Sequence, residues 1–293
     1  MRGLYMFNIK FLSRFFGFLS LGFFVNKSFA ENIGQAQPWG LNLREPFSSL
    51  MSEMVLFHNG LIWLITIISL FVLALLIFII IRFNENSNPK PSKTTHNTFL
   101  EIAWTAIPVL ILVIMAVPSL KLLYKADVVP ESYMTVKAIG HQWYWSYEYP
   151  DHGNFTFDAE DIVDIEEFND EEINLAGTDR PFTRLLTTTT QVVIPVGKVI
   201  RVQMTSTDVI HSWSVPSLGV KKDTVPGRLN EIWLQADREG IFYGQCSELC
   251  GIEHGFMPIE VKAVSESDFL AWIEEAKQEY AKVGEDINLA NIE

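Results

Sequence analysis

Two uncharged apolar runs constrain this chain more than any other feature. Leu61 to Ile81 is twenty-one residues without a charge and Ile102 to Leu120 is nineteen, each long enough to carry a helix through about 30 Å of hydrocarbon. Pro108 and Pro118 interrupt the second run, but membrane helices tolerate proline because neighbouring groups satisfy the freed carbonyls. The segment between the runs, Arg82 to Glu101, holds Arg82, Lys90 and Lys93, whereas Glu31 to Gly60 holds Arg44 as its only cation. Cationic loops stay on the cytoplasmic side. The runs (61–81 and 102–120) therefore form a transmembrane hairpin with a cytoplasmic turn, and everything after about Tyr124 lies on the opposite side.

Ahead of the hairpin, Arg2, Lys10 and Arg14 precede the apolar run Phe15 to Val25, which ends in Ser28-Phe29-Ala30. A basic head, an apolar stretch too short to span a bilayer and a small-x-small end mark residues 1–30 as a secretory signal peptide; a third membrane helix is the alternative. Cleavage after Ala30 removes four cations and no acids, taking the net charge from -13 to -13 - 4 = -17. Export of this kind points to a bacterial plasma membrane, with the carboxy-terminal domain periplasmic. The acidic balance leaves no basic surface to neutralise a nucleic-acid backbone, so a charged partner is cationic.

The outer part alternates apolar and polar residues in Ile200 to Thr205 and Ile259 to Ala263, with similar runs at Met134 to Tyr149, Gln191 to Ile194 and Ile232 to Ala236. Short strands parted by Gly and Pro turns, without strand–helix–strand spacing, predict an antiparallel sandwich. The fold class is thus membrane-anchored α+β: an amino-terminal segment and hairpin in 31–123, a β-sandwich in 124–265, and a helix and tail in 266–293. Asp151 to Glu172 carries ten acids and no Lys or Arg, which reads as a solvated loop. From Ser267, Phe269, Trp272, Ile273, Ala276 and Tyr280 recur at helical spacing, giving a terminal amphipathic helix behind a Ser cap.

Chemistry concentrates in Tyr243 to Pro258. Cys246, Cys250, His254 and Met257 fall within twelve residues among Gly244, Gly251, Gly255 and Pro258, so a loop can converge them on one point. His211 lies thirty-five residues earlier, at the end of the Ile200 strand run. Two imidazoles, a thiolate and a distant thioether are the ligands of an electron-transfer copper; here there is a second thiolate. Two thiolates bridging two coppers, each capped by one His, employ every ligand. A Cys246–Cys250 disulfide and a closed zinc site of two Cys and two His remain open on spacing alone.

Three segments in order resemble one family: His141-Gln142-Trp143-Tyr144-Trp145-Ser146-Tyr147-Glu148-Tyr149, His211 to Lys221, and Cys246-Ser247-Glu248-Leu249-Cys250-Gly251 with His254 and Met257. With the hairpin, they are similar to subunit 2 of the haem-copper cytochrome c oxidases from about Phe57 to Trp272. The resemblance implies a cupredoxin-like sandwich and a binuclear copper A centre. Cys246 and Cys250 would bridge both coppers, His211 and Met257 complete one, and His254 with the backbone carbonyl of Glu248 complete the other. The Glu248 carboxylate resembles a magnesium ligand shared with subunit 1. Implied partners are cytochrome c as cationic electron donor, oxidase subunit 1, where oxygen is reduced and protons are pumped, and subunit 3.

Trp143 matches the aromatic through which the family takes electrons from cytochrome c, although Trp143, Trp145, Tyr147 and Tyr149 share a strand face and core packing is the plain reading of the spacing. Asp208, Glu148 and Asp158 fall where the family places docking acids, and Thr207 stands where many relatives carry a further acid. Glu101, at the cytoplasmic start of the second helix, matches the entrance of a proton-uptake channel; a carboxylate at a helix end can equally reach the interface without such a role. No Cys-x-x-Cys-His occurs, so no haem c is attached and the donor is a separate protein.

Overall fold

The computed structural model describes residues 34–162 and 183–289, the last of these, 281–289, as backbone. Helix α1 (Ser49–Arg82) and helix α2 (Thr98–Asp127) are long and apolar enough to cross a membrane. Both outrun the expected spans. At 34 residues α1 is about 51 Å long, so it projects past the hydrocarbon. Its outer end is anchored by protein: the N-cap Ser48 hydroxyl accepts from Met51 N at 2.9 Å and donates to the Leu218 carbonyl at 2.8 Å, and Leu50 and Met51 are buried. Helix α2 begins at an Asn97 cap, whose side chain accepts from Leu100 N while the Asn97 N–H donates to Glu101 Oε1, both at 3.2 Å. Pro108 and Pro118 sit inside it.

The outer end of the hairpin is tied down. Lys125 pairs with Glu53 across the two helices at 2.7 Å, Asp127 pairs with Lys222 at 3.0 Å, and the Lys125 carbonyl accepts from Trp233 Nε1 at 2.9 Å. The expected domain boundary near Tyr124 therefore falls inside a continuous helix, and the first strand starts at Met134.

Among the described residues ten strands follow: β1 (Met134–His141), β2 (Tyr144–Tyr149), β3 (Phe155–Ala159), β4 (Val192–Pro195), β5 (Ile200–Ser206), β6 (His211–Val215), β7 (Val220–Thr224), β8 (Asn230–Leu234), β9 (Gly240–Gln245) and β10 (Pro258–Val264). They form a five-stranded sheet ordered β3-β2-β1-β5-β8, a three-stranded sheet β4-β10-β9 and a hairpin β6-β7. The sandwich is mixed instead of purely antiparallel: β1 runs parallel to β5 and β10 to β4. Alternation reports which face is buried, whereas strand direction depends on long crossovers that local sequence does not encode.

Two further expectations change. The acidic stretch contains a strand, because Phe155, Phe157 and Ala159 point inward while Thr156 and Asp158 point out; residues 163–172 of that stretch lie outside the described residues, as does the signal peptide. His211 does not end the Ile200 strand. That strand stops at Ser206, and His211 begins β6.

The core joins all three sheets and includes Trp145, Tyr147, Tyr149, Trp213 and Phe242. The Tyr149 hydroxyl donates to the Val193 carbonyl at 2.9 Å and accepts from the Val193 N–H at 3.0 Å, stitching the edge strand β4 to β2. Helix α3 (Glu266–Leu289) is capped by Ser265, whose hydroxyl accepts from Asp268 N at 3.1 Å. Phe269, Ile273 and Ala276 bury against the sandwich, and Trp272 and Tyr280 pack on Phe155 and Phe157.

Candidate metal centre

The loop between β9 and β10 carries four of the proposed side-chain ligands, and the first residue of β6 delivers the fifth. Cys246 follows β9, His254 opens the 3-10 turn His254–Phe256, and Met257 directly precedes β10. Backbone bonds close the loop at its base: Cys246 N donates to the Met257 carbonyl at 3.2 Å, and Ser247 N donates to the Ser212 carbonyl of β6 at 2.9 Å. The second bond fixes the loop against the strand that presents His211.

The five side chains form one connected cluster. Cys246 Sγ and Cys250 Sγ stand 3.9 Å apart as free thiols, which removes the disulfide reading. Cys246 Sγ is 3.9 Å from His211 Nδ1 and 3.4 Å from the Glu248 carbonyl; Cys250 Sγ is 3.5 Å from His254 Nδ1 and 3.6 Å from Met257 Sδ. His211, Cys246 and Cys250 alone place their ligand atoms within 4.8 Å of one another. The donor set fits a metal. Two sulfurs closer than twice a metal–thiolate bond of about 2.3 Å can both touch one ion, with room on each side of the line joining them. His211, Cys246, Cys250 and Met257 are buried and His254 half-buried, so water is largely excluded. The Glu248 carbonyl faces the cluster while its side chain is exposed.

Electrostatics split the thiols. Burial opposes ionisation of Cys246, but the His211 contact and neighbouring backbone groups outweigh it and bring this thiol down to about 7. Burial and the adjacent Cys246 sulfur push Cys250 up to about 12. Burial pulls His211 down, yet hydrogen bonds to Cys246 and Asp208 carry it above its ordinary value.

The surroundings reveal groups whose part in the site the spacing did not disclose. His211 Nε2 donates to Asp208 Oδ1 at 2.8 Å, which turns Nδ1 toward the sulfurs, the arrangement that orients metal-binding imidazoles. Asp208 in turn accepts from Gln142 N at 2.7 Å, Val209 N at 2.6 Å and the Ser206 hydroxyl at 3.1 Å. The one available signal was its spacing, three residues before His211. Gln142 Nε2 and Trp143 Nε1 both donate to the Cys250 carbonyl, at 2.8 and 3.2 Å. Trp145 Nε1 donates to the Met257 carbonyl at 3.3 Å, and its ring meets the His211 ring edge-on at 5.9 Å.

Trp143 is not on the strand face with Trp145, Tyr147 and Tyr149. It sits with Gln142 in the two-residue turn between His141 and Tyr144, half-buried on the metal loop. Gly251 makes that approach possible: its φ is +130°, and a Cβ there would stand 2.8 Å from Trp143 Cζ2. Of the expected docking acids, Asp208 is turned to His211, Glu148 pairs with Lys137 across β1 and β2 at 3.0 Å, and Asp158 accepts from the Ser146 hydroxyl at 2.5 Å. Glu101 lies far from these groups, capping the start of α2.

A two-helix membrane anchor thus bears a sandwich with a buried thiol–imidazole–thioether cluster able to hold a metal. Residues 36–122 match the family model for the transmembrane domain of cytochrome c oxidase subunit II, and residues 134–264 match that for its periplasmic domain. A probable cytochrome c oxidase subunit 2 of Rickettsia bellii is 46% identical over 253 residues, covering 86% of this chain and 90% of the relative. Cytochrome c oxidase subunit 2 of Cereibacter sphaeroides is 43% identical over 254 residues, 84% of each chain. The solved periplasmic domain of subunit II of cytochrome oxidase from Bradyrhizobium japonicum is 46% identical, covering 52% of this chain and 99% of that one, with a TM-score of 0.45. The chain belongs to the cytochrome c oxidase subunit 2 family and is a membrane-anchored subunit of that oxidase.

Proposed function

We propose that this chain is the electron-accepting subunit of its oxidase: it takes electrons from cytochrome c at a binuclear copper A centre and passes them to haem in subunit 1, where oxygen is reduced to water with proton pumping. The carrying observation is the largely buried cluster of two free thiols 3.9 Å apart, each in contact with one imidazole, with a thioether against the second thiol. In this reading Cys246 and Cys250 would be shared by two copper ions, one held also by His211 and Met257 and the other by His254 and the Glu248 carbonyl. Copper bound there would supply a one-electron couple.

The chain's own contribution is rigidity and exclusion of water. Loop carbonyls at Cys250 and Met257 each accept from an indole, and Asp208 holds the His211 ring. Ligands fixed in this way need little rearrangement when charge changes, which keeps the barrier to electron transfer low. Trp143 is the electron-accepting aromatic: it is half-buried, and its indole N–H bonds directly to a ligand residue's carbonyl. Opposite charge steers a lysine-rich donor to this face. Asp158 and Asp208 both act on His141, at the base of the turn that carries Trp143, whereas the charge of Glu148 is offset by Lys137.

The remaining assignments follow the family resemblance. The exposed Glu248 carboxylate binds magnesium together with subunit 1, and Glu101 opens a proton-uptake channel, in addition to accepting the Asn97 N–H. Subunit 3 is a further partner. The protein resides in a bacterial plasma membrane with its sandwich periplasmic, after removal of residues 1–30. Electron paramagnetic resonance of the copper-loaded chain tests the centre. A seven-line pattern, the signature of one electron shared equally by two copper nuclei, supports it; a four-line mononuclear signal refutes it.

A further inference from the structure

Residues 34–47 leave the sandwich and return to the same place. At one end Gly34 lies so close to Ser217 that a Cβ would stand 3.0 Å from its hydroxyl. At the other, Phe47 N donates to the Ser217 carbonyl at 3.0 Å and the Phe47 ring packs on Phe242 at 5.6 Å. Arg44 Nη1 closes the excursion on the Gly34 carbonyl at 2.9 Å. A surface excursion with adjacent ends is an Ω-loop. Its tip reaches away from the sandwich, because Asn42 Nδ2 donates to Asn59 Oδ1 at 2.9 Å. Asn59 lies about 15 Å along α1 from Ser49 at 1.5 Å per residue, two residues before the uncharged run that begins at Leu61.

The side chains displayed at this depth are apolar. Trp39 is 92% exposed, Leu41 97% and Leu43 44%. Trp39 has φ +59°, a left-handed conformation that a bulky residue adopts at a cost, and in water no burial offsets it. Other markers put the membrane boundary at the same level. Asn59 is about 9 Å down α1 from the Glu53–Lys125 pair. Trp63 is exposed one turn further on. Aromatic side chains gather at this depth because one end of the ring system is apolar and the other wet. From Gln35 to Leu43 the loop has no charge, and the first charged group, Arg44, is turned back to the Gly34 carbonyl.

We propose that Trp39, Leu41 and Leu43 dip into the headgroup–acyl boundary of the outer leaflet, a third membrane contact that holds the sandwich at a set attitude over the hairpin. Lipid is the occupant because the tip continues the lipid-facing surface of α1 at the depth where its apolar run begins. The test uses the full-length, copper-loaded chain in phosphatidylcholine vesicles and reads the Trp39-dependent emission as the difference between native protein and Trp39→Phe. Lipid brominated near the headgroup end of its chains is expected to cause a loss of that emission, larger than lipid brominated near the chain ends, while aqueous acrylamide leaves it unchanged. Free quenching by acrylamide with no loss to brominated lipid overturns the proposal, since the tip is then in water. Loss to brominated lipid that disappears in the assembled oxidase overturns it as well, because a partner subunit then covers the tip. Leu41→Asp, which touches no metal ligand, is expected to open Trp39 to acrylamide; unchanged shielding in that variant counts against insertion.

Discussion

Replacing Asp208 with Asn removes a charge and almost no volume, and it separates two jobs this acid can hold. Oδ1 accepts from His211 Nε2, Val209 N and the Ser206 hydroxyl, and Oδ2 accepts from Gln142 N. An amide keeps one oxygen. If that oxygen stays with His211, the new NH2 faces the Gln142 N–H, donor against donor; the flipped amide would face three donors and costs more. The variant thus keeps a weakened, uncharged His211 bond and strands the Gln142 N–H, at about 1–3 kcal/mol for a donor left without a partner. Loss of the group that orients a metal-binding imidazole typically lowers metal affinity by about 10–100-fold, or about 1.4–2.7 kcal/mol. Gln142 also holds the Cys250 carbonyl through its side chain, so the disturbance reaches the ligand loop from a second direction. Copper affinity is measured by competition with a chelator while the visible spectrum is recorded, and electron uptake from cytochrome c is followed over a range of ionic strength. The expected result is weaker copper binding with the salt dependence preserved. Unchanged copper affinity and spectrum with a flattened salt dependence would refute the reasoning and make Asp208 a docking acid alone.

Trp143→Phe removes the indole bond to Cys250 and is expected to slow electron uptake from cytochrome c strongly while leaving the copper spectrum intact; normal stopped-flow rates would make Trp143 a packing residue. Tyr149→Phe leaves both Val193 backbone groups without their partner and is expected to destabilise the sandwich by about 2–4 kcal/mol, read as a lower midpoint in near-ultraviolet circular dichroism melts. In the metal-free chain, folded Cys250 at about 12 keeps a proton that an ordinary thiol at 9.0 has lost. The folded state then binds more protons than the unfolded one, so stability falls as pH rises between those values, by up to about 1.4 kcal/mol per pH unit. Cys246 acts in the opposite sense: its stabilisation is present above 9.0 and is lost as pH falls through about 7. A flat stability profile above 9.0 would contradict the environment described for Cys250, and copper loading is expected to abolish the alkaline loss.

Much of this molecule is legible in one dimension because its strongest signals are local. Uncharged runs of twenty-one and nineteen residues admit few fates besides membrane helices, apolar alternation marks the buried faces of β1 and β5, and helical spacing from Phe269 to Tyr280 places α3 on the sandwich. The ligand types Cys246, Cys250, His254 and Met257 could also be named, since one short loop carries them. The sequence alone did not reveal how these pieces meet. The acids around Phe155 and Phe157 concealed a strand whose inward face decides its fate. The spacing of Trp143, Trp145, Tyr147 and Tyr149 implied a shared face, until a two-residue turn lifted Trp143 onto the metal loop. Asp208 looked like surface charge, and only the close approach of β6 to the β1–β2 turn makes it the partner of His211. Periodicity records which way a side chain faces; hydrogen-bond partners distant in sequence, strand direction and the convergence of His211 on two sulfurs come from packing, where long-range contacts choose among locally equivalent chains.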